Sequence, residues 1–170
     1  MYIALSGTPG TGKSSAAKIL ASRGYTVVTV EELARKHGAI EEVGGDLEVD
    51  TEALSNVLEQ PTGTIIIEGH LSHCLPNGLC VILRCHPEEL RKRLSGRKYS
   101  REKVLDNLEA EAIDIILSEA VEACETVCEI DTSSLSVEAI ADAIESIIND
   151  KADEYPPGKI DWSGAVMDWY

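Results

Sequence analysis

The chain has 170 residues, 30 of them acidic and 15 basic, for a formal net charge of -15 at neutral pH. Hydrophobic residues make up 44% and charged residues 26%, enough apolar surface for a sizeable core and too much for wholesale disorder. No apolar run approaches the roughly 18 residues of a membrane span, the opening residues carry no export signal, and the odd set of five cysteines is expected to be reduced, in a cytoplasmic protein.

Tyr2 to Leu5 is a short apolar run entering a glycine-rich loop, which predicts a buried strand. Residues 13–23 follow as a helix with Ala16, Ala17, Ile19 and Leu20 on its apolar side and Gly24 as its stop. Thr26 to Val30 is β-branched throughout and reads as a second strand. Residues 31–37 and 51–59 read as helices separated by a Gly44-Gly45 loop, and strands are predicted at Thr64–Ile67 and Leu79–Leu83. Pro87 suits a first helical turn, where its missing N–H costs nothing. Residues 101–122 place Leu105, Leu108, Ala112, Ile115 and Ile116 on one stripe and predict a single long amphipathic helix. Val127–Ile130 is a fifth strand, and Ser136 caps a last helix to about Asn149. Strands alternating with helices predict a parallel sheet covered on both faces.

Residues 151–170 are of another kind. Pro156-Pro157-Gly158 breaks any helix, and Tyr155, Trp162, Trp169 and Tyr170 concentrate the aromatic residues here. Such a tail docks either on its own domain or on a partner.

The charge is unevenly spread. Residues 84–103 carry eight bases and three acids, whereas residues 104–150 carry thirteen acids and no base. An anionic ligand suits the first window and the acid-free N-terminal thirty residues. The acidic block disfavours direct binding of duplex DNA or bare RNA. It suits a basic protein partner, or it is a solvated helix face.

Gly7-Thr8-Pro9-Gly10-Thr11-Gly12-Lys13-Ser14 fits Gly-x4-Gly-Lys-Ser/Thr, after a predicted strand and opening a predicted helix. Glycines let successive N–H groups converge on an anion, and the helix N-terminus adds partial positive charge. Gly10, Thr11, Gly12, Lys13, Ser14 and Ser15 are therefore candidates for holding a nucleoside triphosphate (ATP, by the resemblance given below), with Lys13 on the β- and γ-phosphates and the Ser14 hydroxyl on Mg2+. Ile65-Ile66-Ile67 ends in Glu68-Gly69-His70. An acid at that strand end holds Mg2+ directly or through water, or it is a plain surface acid. His70 either orients water or a phosphate oxygen, or makes a structural hydrogen bond. His73 and Cys74 follow without a second ligand pair for zinc.

Together these residues resemble the nucleoside monophosphate kinases, and within them the nuclear-type adenylate kinase family of the isoenzyme-six kind, whose members double as ribosome assembly factors. The phosphate loop, the acid-x-His motif at Glu68-Gly69-His70, Glu32-Leu33-Ala34-Arg35, and Arg97-Lys98-Tyr99 with Asp106-Asn107 carry the likeness over residues 1 to about 150. Pro157-Gly158 and Asp161-Trp162 resemble the ending of archaeal members. Lys98 stands where the family has glycine.

The resemblance implies an α/β P-loop NTPase fold of the nucleoside monophosphate kinase type, with a five-stranded parallel sheet flanked by helices and a short lid. It implies a domain over residues 1–150, a monophosphate-binding insert at about 31–60, a lid at about 96–104 and a separate tail over 151–170. The activity implied is ATP plus AMP to two ADP, with ATPase activity. Arg35 and Asp50 would lie on the AMP side, Arg97 would close over the ATP phosphates with Arg93 and Arg101 as further candidates, and Lys13, His70 and Arg97 would be catalytic. Glu68 would reach Mg2+ through water. The partner implied is a basic small-subunit ribosomal protein, in small-subunit maturation and rRNA processing. The competing readings are an ATPase assembly factor with vestigial kinase activity, and another small-molecule kinase on the same scaffold.

Overall fold

The computed structural model describes residues 1–43 and 46–166. Gly44, Gly45, Trp169 and Tyr170, singled out above, lie outside the described residues. Five strands form one parallel sheet: β1 (Tyr2–Ser6), β2 (Thr26–Thr29), β5 (Ile65–Glu68), β6 (Leu79–Arg84) and β7 (Val127–Asp131), in the order β2-β5-β1-β6-β7. The two others, β3 (Ile40–Val43) and β4 (Asp46–Val49), pair antiparallel as a separate ribbon. The helices are α1 (Lys13–Ser22), α2 (Val30–His37), α3 (Thr51–Val57), α4 (Pro87–Ser95), α5 (Arg101–Ala112), α6 (Ile115–Ala123), α7 (Val137–Ser146) and a last turn, α8 (Ser163–Val166).

Side-chain alternation along the central strands builds two cores. Ile3, Leu5, Ile66, Val81 and Leu83 pack with Ala16 and Leu20 of α1 and Ile140 and Ile144 of α7. On the other face Ala4, Cys80 and Ile82 meet Leu117 and Ala120 of α6, while Ile67 meets Leu33 and Ala34 of α2 and Leu54 of α3. β5 and β6 are buried on both faces and read as apolar runs, whereas β2, with no buried residue, is visible through its β-branched residues.

Two expectations need correction. The predicted helix over 101–122 is two helices, because Asp114 adopts a left-handed conformation (φ 58°) and its carboxylate pairs with the buried Arg84. The apolar stripe runs through this break, so periodicity alone does not reveal it. Between α2 and α3 the chain forms the β3–β4 ribbon rather than only a loop. Its Glu41, Glu42, Asp46 and Glu48 dilute the strand signal. The last helix is an α-helix to Ser146 and runs on as a π turn over Ile147–Lys151, leaving helical geometry at Asn149 and Asp150 (φ 70°), as expected near Asn149. Among the described residues no helix is long and apolar enough to cross a membrane, and the five cysteines are free.

Candidate active site

Parallel strands leave their carboxyl ends on one rim, where ligands bind in such sheets. β1 runs into the loop at Gly7, whose φ is 137° and whose absent side chain would collide with the Leu83 carbonyl. The loop is drawn tight by Thr11, whose N–H and hydroxyl both donate to the Thr8 carbonyl at 3.3 and 2.9 Å. Gly12, at φ 108°, turns the chain into α1, whose first turn holds no acidic residue to offset its positive end. Ser14 and Ser15 lie exposed on that turn.

Lys13 lies folded against the loop. Its ammonium donates to the carbonyls of Gly7 at 2.6 Å and Thr8 at 3.0 Å, and the residue is only 7% exposed. Burial lowers its pKa to about 8, against the pull of Glu68 and Glu111, and the nearby charge of Arg97 adds to the lowering. An incoming phosphate would replace those two carbonyls and favour the charged form further.

Glu68 ends β5, in register with Leu5 of β1 and Thr29 of β2. Its carboxylate accepts from the Ser14 hydroxyl at 3.1 Å. A hydroxyl and a carboxylate oxygen side by side at the head of a phosphate loop are hard donors of the kind Mg2+ takes. Gly69 is extended to φ 155° with Val30 pressed where a side chain would go, so α2 sits close against the strand end.

His70 is exposed on the rim of a cleft of about 280 Å3. Val30, Ile40, Val49 and Leu71 give this cleft an apolar lining, with Glu31, Glu68 and His70 as polar groups. Loss of hydration lowers the His70 pKa below its ordinary 6.5, and the positive fields of Lys13, His73 and Lys103 lower it further. His70 is thus a neutral imidazole near neutral pH. His73 is buried beneath the loop, with Nδ1 2.9 Å from the Ser6 hydroxyl and Nε2 3.0 Å from Glu119 and 3.4 Å from the Cys74 sulfur.

Arg35 lies on the exposed side of α2, outside the cleft wall, its guanidinium held by Glu31 Oε1 at 2.7 and 3.0 Å. Asp50 caps α3, accepting from the Ala53 N–H at 2.8 Å. Arg97 is exposed between α4 and α5, 3.4 Å from the Tyr99 hydroxyl. No residue from Gly96 to Ser100 has a positive φ, so Lys98 replaces glycine at no conformational cost. The structure therefore brings Ser14 and Glu68 into contact, places Lys13, His70 and Arg97 near enough for their charges to be felt there, and leaves Arg35 and Asp50 on the flank.

Two features escaped the sequence reading. Lys103 stands 5.1 Å over the Tyr99 ring, and its charge reaches His70. Its position in the basic window was the available signal. Behind the loop, Thr8 donates to Glu111 of α5 at 2.5 Å. Arg93, a candidate from the sequence, donates to the carbonyls of Thr132 and Ser133 beside the loop contact from Thr132 to Thr11, and Arg101 is exposed at the start of α5.

A five-stranded parallel sheet of this order, with a Gly-x4-Gly-Lys-Ser loop after its first strand and an acid facing that loop from the neighbouring strand, defines a P-loop protein. The fold is that of small kinases: a shikimate kinase from Acinetobacter baumannii superimposes with a TM-score of 0.60 at 20% identity, covering 87% of this chain and 92% of that one. An AAA-domain family profile matches residues 3–114. A protein of Archaeoglobus fulgidus named "Putative adenylate kinase" is 49% identical over 172 residues, covering 99% of this chain and 95% of that protein. One of the same name from Methanothermobacter thermautotrophicus is 44% identical, covering 97% and 99%. The chain belongs to the AAA-domain family and, within it, to the group formed by these relatives.

Proposed function

We propose that the protein is an adenylate kinase, transferring the γ-phosphoryl group of ATP to AMP, with some hydrolysis of ATP when no acceptor is bound. The observation that carries this is the double placement of Glu68. One oxygen faces Ser14 in the phosphate loop, and the same side chain lines the 280 Å3 cleft on the far side of β5. A phosphate loop and a neighbouring cleft that share one carboxylate suit direct transfer, since attacking and leaving oxygens must align. A simple ATPase has no use for the cleft. The relatives' name supports the same reading.

The chemistry asked of the protein is positioning and charge neutralisation. The loop N–H groups and Lys13 hold the β- and γ-phosphates, and Arg97 closes from the lid over the transferring group. Ser14 and Glu68 would hold Mg2+, Glu68 through water, and the ion would spread the charge of the bridging oxygens. Arg35, released from Glu31, would take the acceptor's phosphate, with Asp50 fixing the start of α3 beside it. Neutral His70 would orient an acceptor oxygen or, without acceptor, a water molecule. Challenging the protein with MgATP and, separately, AMP, CMP, GMP and UMP tests this. Diphosphate formation with AMP well above the others is expected, and formation with none would refute it.

A second role, as an ATPase in maturation of the small ribosomal subunit, is favoured by one surface. Ile113, Ile115 and Val121 are exposed on α6 and the turn before it, within the acidic stretch of the chain. Apolar groups framed by carboxylates suit a basic protein such as a small-subunit ribosomal protein. Salt-sensitive capture of such a protein would support this reading, and salt-insensitive binding would count against it.

A further inference from the structure

Behind the phosphate loop, away from Ser14 and Glu68, lies a dry ionic cluster. Arg84, the last residue of β6, is 2% exposed. Its Nε donates to Glu111 Oε1 at 2.8 Å and its Nη1 to Glu129 Oε1 at 2.6 Å. Its Nη2 donates to the Glu111 carbonyl at 3.0 Å and to Asp114. The side chains of Glu111 and Glu129 are 2% and 1% exposed.

The two glutamates lead out of the cluster in different directions. Glu111 Oε2 accepts from the Thr8 hydroxyl, inside the phosphate loop, at 2.5 Å. Glu129 Oε2 accepts from the backbone N–H groups of Gly158 and Lys159, in the C-terminal segment, at 2.9 and 3.1 Å. An unbroken series of hydrogen bonds thus runs from the tail through Glu129, Arg84 and Glu111 to the loop. One buried cation cannot neutralise two buried carboxylates, with Asp114 beside them, so each carboxylate needs its outer donors. A guanidinium is a rigid fork, and movement of one carboxylate on it displaces the other.

We propose that Glu111 is a positioning residue for the phosphate loop, and that docking of the C-terminal segment is coupled to nucleotide binding through Glu129, Arg84 and Glu111. The proposal rests on Gly7–Ser14 being a nucleotide site, and it adds a regulatory input to that site. The coupling is reciprocal: nucleotide on the loop steadies the tail by the same factor by which the docked tail favours nucleotide.

Both tryptophans, Trp162 and Trp169, lie in the C-terminal segment, so intrinsic tryptophan emission reports that segment alone. Trp162 meets the His86 ring edge-on at 4.8 Å, an environment that changes if the tail shifts. The full-length protein is titrated with a non-hydrolysable ATP analogue and Mg2+, with binding followed by calorimetry and the tail by emission. In the wild-type protein the emission change saturates together with the heat. Thr8→Val binds the analogue about tenfold more weakly, the loss of roughly one charge-assisted hydrogen bond. At saturation it has also lost most of the emission change. Thr8→Ser, which keeps the hydroxyl, recovers both. Heat without an emission change in the wild type, or a full emission change at saturation in Thr8→Val, overturns the coupling and leaves the nucleotide site standing. Absence of heat in the wild type overturns both.

Discussion

Replacing Lys13 with methionine keeps the aliphatic stem and removes the ammonium. The group is nearly sealed from solvent, and burial depresses its pKa from 10.5 to about 8. Below pH 8 it is protonated in both folded and unfolded chains, and folding bears the whole cost of burying the charge. Between pH 8 and 10.5 the folded chain gives up the proton first, so that cost fades as pH rises. At about 1.4 kcal/mol per pH unit, the displacement from 10.5 to about 8 sets its full size at roughly 3–4 kcal/mol, most of it recovered between pH 7 and pH 10. Wild type should therefore gain roughly 2–3 kcal/mol over Lys13→Met across that range, in urea denaturation of both proteins in parallel. The lost bonds to Gly7 and Thr8 shift the two curves by a constant and leave the slope untouched. Turnover of ATP by the variant should fall by about 10²–10³-fold, the scale of removing one preorganised donor from a transition state. A stability difference flat with pH, or a variant that turns over ATP normally, would refute the assignment of a buried, charge-strained Lys13 to phosphate binding.

The other expectations follow from single contacts. Glu68→Gln weakens the partner of Ser14 and should raise the Mg2+ concentration for half-maximal activity about tenfold; an unchanged Mg2+ titration would remove Glu68 from the metal's surroundings. His70→Ala should slow acceptor-free hydrolysis with little change in ATP affinity. Because the wild-type imidazole titrates below 6.5, the acid fall in hydrolysis should lie below that pH and vanish in the variant; an acid limb that persists would assign it elsewhere. Arg84→Met strands two buried carboxylates and should destabilise the chain by about 3–5 kcal/mol in the same urea assay. A loss under about 1 kcal/mol would mean that the cluster is hydrated or protonated.

What the sequence disclosed was what is local. The phosphate loop is eight consecutive residues between a strand and a helix, and each element carries its own signal, from the apolar run of β1 to the glycines that need positive φ. Glu68 was legible for the same reason, as the first polar residue after Ile65-Ile66-Ile67. Its neighbour was not, because only the placement of β5 beside β1 brings Glu68 to Ser14, 54 residues away. The ionic cluster was wholly hidden. Arg84 lies 27 residues from Glu111 and 45 from Glu129, and each alone looks like an ordinary surface charge. The same hidden cluster explains the broken helix at Asp114, where a tertiary ion pair overrides a continuous apolar stripe. Arg35 shows the reverse: a motif position legible in sequence that the fold leaves on an exposed helix side, held by Glu31.

The central claim is direct transfer from a nucleotide on the phosphate loop to an acceptor in the cleft, with Glu68 standing between them. The most direct measurement is the fate of labelled γ-phosphate when the protein is given γ-labelled MgATP with excess AMP. Label appearing in ADP, at a rate that rises and saturates with AMP while release of inorganic phosphate falls, is the predicted result. Label released only as inorganic phosphate, at a rate indifferent to AMP, would contradict it.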